Sequence, residues 1–110
     1  MQYSIRINNF KKSDIYQKAD IATKNALDKY FYIYTNLLDD GNGMAAIKDH
    51  KYTATDIMDY VSDNINYFSR IPERTIKLVS ELCFLNEEVM QFIITAIKLK
   101  ATLILESASN

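Results

Sequence analysis

The amino-acid sequence predicts an all-α domain, a compact bundle of four to five helices with a short extended N-terminal arm, and three observations carry that reading. Apolar residues recur at spacings of three and four along most of the chain. Side chains suited to helix starts precede several of these runs. The composition, 48% hydrophobic and 25% charged over 110 residues, is that of one globular domain with a packed core.

The elements follow in order. Within residues 1–12, "QYSIRIN" alternates Tyr3, Ile5 and Ile7 with Ser4, Arg6 and Asn8, the period of a half-buried strand. One strand makes no sheet alone, so this segment is expected as an extended arm laid over the helices, with pairing to a second copy or addition to a partner's sheet edge as the alternatives. Residues 13–38 open on Ser13 and Asp14 and carry Ile15, Ala19, Ala22, Ala26, Tyr30, Ile33 and Leu37 on one stripe. They read as one long amphipathic helix that stops at "DDGNG". A short helix is expected over 44–52.

Thr53 with Asp56 resembles a capping box and starts a helix over 55–68, with Ile57, Val61, Ile65 and Phe68 inward. Pro72 suits the first turn of the next, 72–85, with Ile76, Val79, Leu82 and Cys83 facing the core. Asn86, Glu87 and Glu88 cap the last, 87–106. Its apolar stretch "VMQFIITAIKLKATLIL" has 17 residues and contains Lys98 and Lys100. A spanning helix needs about 20 apolar residues, and each central Lys costs roughly 3 kcal/mol. No membrane partner is therefore expected.

The apolar groups of that helix nevertheless cover much of its circumference. Such a helix is either central or shared with a partner. The sequence thus nominates Met90, Ile94, Ile97, Ala101 and Ile104 as an oligomer or partner interface. Tyr32, in the aromatic run "DKYFYIYTN", joins them because a helix buries only one face and tyrosine is favoured at contacts.

Chemistry is sparse. Placing Gly43 at position 6 of a calcium loop puts Leu38 at position 1 and Asp49 at position 12, so the first and last ligands are wrong. The sole histidine, His50, sits in a polar run, and the sole cysteine, Cys83, among Leu82, Phe84 and Leu85, where a buried thiol is inert. There is no glycine-rich phosphate loop. No enzyme activity, cofactor or metal is expected.

Net charge is −1, but its distribution is uneven: +3 over residues 1–34, −4 over 35–66, and zero over 67–110. Such a field steers a charged partner to one end. A helix-turn-helix is the alternative reading of "SDIYQKADIATKNALDKYF", with Ala19 as the small residue, Asp20 the turn, and Thr23, Lys24, Asn25 and Lys29 facing nucleic acid. The leading expectation is a small protein-interaction module, of the adaptor, chaperone, inhibitor or immunity kind, working as a homo-oligomer with a protein partner. The first residues lack the apolar run of a secretory signal, which predicts the cytoplasm.

Overall fold

The computed structural model describes residues 3–38 and 53–109, with side chains described to residue 102. Those residues form helices α1 (Tyr3–Lys11), α2 (Asp14–Gln17), α3 (Ile21–Tyr32), a π-helical turn (Ile33–Leu37), α4 (Ala54–Asp63), α5 (Ile65–Phe68), α6 (Glu73–Leu82) and α7 (Glu87–Ser109). The fold is all-α, and the described residues include no strand. The short helix expected over 44–52, the acidic turn and His50 lie outside the described residues.

The extended arm is corrected: its residues are α1. Tyr3, Ile7 and Phe10 are buried, and their spacing of four and three is helical. The alternation that suggested a strand depended on Ile5, which is 47% exposed and contributes nothing to the core. Two periods coexisted in seven residues, and core contact decides between them. Tyr3 meets Tyr34 edge to face at 5.2 Å, and Phe10 meets Phe31 at 5.8 Å.

The single helix over 13–38 is also corrected. It breaks after Gln17 because Asp20 accepts the Thr23 N–H at 2.7 Å and so caps a new helix. That bond holds the Asp20 carboxyl below its ordinary pKa. A cap is worth about 1 kcal/mol, more than the propensity lost at two residues. The break folds α2 back so that the Tyr16 ring packs on Phe10 at 6.1 Å and its hydroxyl donates to Asp28 at 2.8 Å. At the far end the π-helical turn shifts the register by one residue. Leu38 rather than Leu37 therefore follows Ile33 into the core.

Thr53 and Asp56 form the expected capping box of α4. The helix expected over 55–68 is broken at Asn64 into α4 and α5. Pro72 stands one position before the first turn of α6, as its N-cap residue with ψ 147. Asn86 caps α7 by accepting the Val89 N–H at 3.0 Å.

Helix α7 is central. It packs on α4, α5 and α6, and Val89, Met90, Ile93, Ile94 and Ala96 are all buried. The apolar circumference of the first half of α7 is thus consumed within the chain, whereas Leu99 further along is 51% exposed. At roughly 25 cal/mol per Å² of apolar area, each of these buried side chains other than Ala96 contributes about 1.5–3 kcal/mol.

Beside α7 the core contains a polar chain. Ser80 Oγ donates to the Ile76 carbonyl at 2.6 Å, which uses its only hydrogen. The Tyr30 hydroxyl, 2.6 Å away, therefore donates to Ser80, and Tyr34 donates to Tyr30 at 2.9 Å. Burial pushes the Tyr30 phenol up to about 12 and holds Tyr34 well above its ordinary value. The chain ties α3 and the π-helical turn to α6. Among the described residues, no buried side-chain nitrogen or oxygen lacks a partner.

Candidate functional site: an exposed phenylalanine on a fixed turn

The turn between α6 and α7 is built without glycine. Cys83 ends α6, and Phe84 takes the left-handed conformation at φ 53, the one non-glycine residue to do so among those described. The Leu85 N–H reaches back to the Ser80 carbonyl at 2.9 Å and the Phe84 N–H to the Glu81 carbonyl at 3.2 Å. This pair of bonds is a Schellman motif, whose left-handed position is usually glycine. A side chain there costs about 1–2 kcal/mol.

The carbonyls that the turn leaves over are taken by α1. Arg6 Nε donates to the Cys83 carbonyl at 2.7 Å and its Nη2 to the Phe84 carbonyl at 3.1 Å. A cation at a helix C-terminus also meets the negative end of the helix dipole. The Arg6 guanidinium is in turn seated over the Tyr3 ring at 5.1 Å. Leu85 and Cys83 point inward on either side of Phe84, and Asn86 starts α7 at once. The turn is thus held by two local backbone bonds, by Arg6 from α1 and by the Asn86 cap.

Phe84 itself points outward and is 77% exposed. It stands between two grooves. One, about 360 Å³, lies against α1 and α2, and Phe10, Ile15 and Leu82 line it with Arg6 and Asn9. Ile15 is 53% exposed and Leu82 46%. Leu78, one turn before Leu82 on α6, is exposed as well. The other groove, about 510 Å³, has Ser80, Leu85 and Met90 in its floor and Glu81 and Glu87 on its rim. Lys77 also lines it, but its ammonium is bound by Glu73 at 2.9 Å.

The residues nominated from sequence are scattered. Met90 and Ile94 are buried in the chain's own core, though Met90 also lines the second groove; Ile97 and Ala101 are half-buried, and Ile104 lies outside the described side chains. Tyr32 is 43% exposed, but one face of its ring is covered by Tyr60, stacked at 4.9 Å and 17°. Burial pushes the Tyr60 phenol to about 12.

The four nucleic-acid candidates do not share a face. Thr23 serves the Asp20 cap and is half-buried. Lys24 extends over the Tyr16 ring at 5.6 Å, on the α2 side of α3, where Lys11 pairs with Asp28 at 3.2 Å. Asn25 and Lys29 lie on the α5 side: Asn25 lines a groove with Tyr67 and Arg70, and Lys29 sits over Tyr67 at 5.1 Å. The break required by a helix-turn-helix exists, yet its first helix, α2, has four residues.

The chain was compared with protein-family models, with curated proteins and with solved structures. It matches none of them. Among the described residues, no group of three His, Cys, Asp or Glu is placed to hold a metal ion, and no helix is long and apolar enough to cross a membrane. The Cys83 thiol is buried and pushed to about 11 by desolvation.

The site centred on Phe84 was missed from sequence, although a signal exists in "ELCFLN". Two helices abut there across four residues with no glycine, so one bulky residue must occupy the left-handed position. The pattern of apolar residues alone does not say which.

Proposed function

We propose that the protein works in the cytoplasm by binding another protein, and that Phe84 is the anchor of its docking face. The observation supporting this is the combination at one residue of backbone cost and exposure. Glycine at position 84 would remove the cost, and the phenylalanine ring stabilises little inside the chain. Strain of this kind is found at functional positions, where the side chain itself is needed. A rigid aromatic anchor also binds with little loss of conformational freedom, because the turn is already ordered.

The grooves on either side suit a partner that lays apolar groups around the ring, with Ile15, Leu78 and Leu82 extending the contact. The nucleic-acid alternative has weaker support, because Lys24 and Lys29 lie on opposite sides of α3 over aromatic rings.

Glycine substitution tests the proposal. F84G removes the ring and relieves the backbone, so the variant should be at least as stable as the parent. Partner capture from the native cell, quantified side by side for both proteins, should lose its specific partner in F84G. A partner retained in full by F84G would refute the assignment.

A further inference from the structure

We infer that the partner segment received at Phe84 is cationic as well as apolar, an inference that rests on the docking reading above. The deeper groove beside Phe84 has an apolar floor of Leu85 and Met90 and a rim carrying the exposed carboxylates of Glu81 and Glu87. Neither carboxylate has a cationic partner among the described residues. Of the cations nearby, Lys77 is paired with Glu73, and Arg6, which keeps its charge, lines the other groove. The rim is therefore negative in effect although a lysine belongs to it.

This charge arrangement also argues against a second copy as the occupant. In a two-fold contact the same patch meets itself, so a rim of two glutamates and one lysine would face an identical net-negative rim. Like charges opposed at a contact are unfavourable, and on this rim two glutamates stand against one lysine. A segment with one large aliphatic or aromatic side chain for the groove, and Lys or Arg within a turn of it, satisfies both floor and rim. Its basic groups would speed encounter through the field of the rim, and its apolar group would slow release.

The test uses the full chain and two synthetic amphipathic helices, each about four turns long, one of leucine and lysine and the other of leucine and glutamate. Affinity is read by fluorescence anisotropy and the contact by amide chemical shifts. The lysine peptide should bind, with shifts centred on residues 81–91, and more weakly as salt is raised. The doubly reversed variant E81K/E87K and the variant F84G should each weaken it by about tenfold or more. Circular dichroism should confirm that both variants remain folded. Equal binding of the glutamate peptide, or indifference to E81K/E87K, would overturn the cationic assignment. Loss of binding in F84G with no response to charge reversal leaves the docking face and removes only its charge preference; no response to F84G removes both. Self-association of the parent abolished by F84G, seen by sedimentation, would assign the face to a second copy and end the inference.

Discussion

Helix α6 has two sides, and they treat polar and apolar groups in opposite ways. On the inner side Ser80 accepts from Tyr30, Tyr30 accepts from Tyr34, and each hydroxyl is buried with its bond made. On the outer side, four residues later, Phe84 stands in water on a strained turn. The inner side is arranged so that nothing more can be gained by contact. The outer side is arranged so that something can. The difference teaches where to look for function in a helical chain: departures from internal satisfaction are informative when the backbone around them is rigid.

The inner side should show the largest response. Ser80→Ala leaves the Tyr30 hydroxyl buried without its acceptor, and urea unfolding should lose about 1–3 kcal/mol. Removing all three hydroxyls together, as S80A/Y30F/Y34F, should recover much of that loss, because no unpaired group then remains. A triple variant less stable than S80A by a further large step would show that the chain of hydroxyls matters for more than mutual satisfaction.

High pH acts on the same side. Tyr30 titrates at about 12 in the folded protein against 10.0 when exposed. The folded state therefore holds its proton more tightly, and the associated stability is complete below pH 10 and is lost as pH rises toward 12. Tyr16 and Tyr60 are likewise raised to about 12, and Tyr34 is raised well above the ordinary value. In an absorbance titration, Tyr16, Tyr30, Tyr34 and Tyr60 should ionise above the ordinary tyrosine range, the buried Tyr30 and Tyr34 only as the protein unfolds. A single smooth titration near 10 would contradict the buried hydroxyl chain.

The outer side should give the smallest effect and the opposite sign. F84G should raise stability by about 0.5–1 kcal/mol, the relief of the left-handed backbone less the added freedom of the unfolded glycine. Destabilisation by F84G would mean that the ring packs usefully inside the chain, and the contrast between the two sides of α6 would fail.

Much of the fold was legible in the sequence, for reasons that separate the successes from the misses. The capping box at Thr53 and Asp56 and the Asn86 start of α7 are local chemistry, readable from a few residues. The helical stripe of α6 is equally local, although Leu82 lies outside its buried face. The misses depended on distant contacts. Tyr3 and Ile7 are helical because Tyr34 and its neighbours wait beneath them, and Asp20 caps a new helix because Tyr16 finds Phe10 and Asp28. Apolar content marked the last helix as over-supplied, but the packing of α4, α5 and α6 on it was needed to show that Val89, Met90, Ile93, Ile94 and Ala96 face the chain's own core. Phe84 was hidden because no pattern of hydrophobicity encodes a backbone sign.

The Arg6 clamp ties the turn to a residue 77 positions earlier. Closing a loop of that length costs on the order of 4 kcal/mol in chain entropy, so the clamp forms late, after the helices between have collapsed. A chain still being synthesised, or one that has folded only in part, can form α1, α6 and the local bonds of the turn, but it lacks the Arg6 clamp on the Cys83 and Phe84 carbonyls. If Phe84 is the docking anchor, as proposed, binding through its ring would favour molecules in which this clamp has already closed.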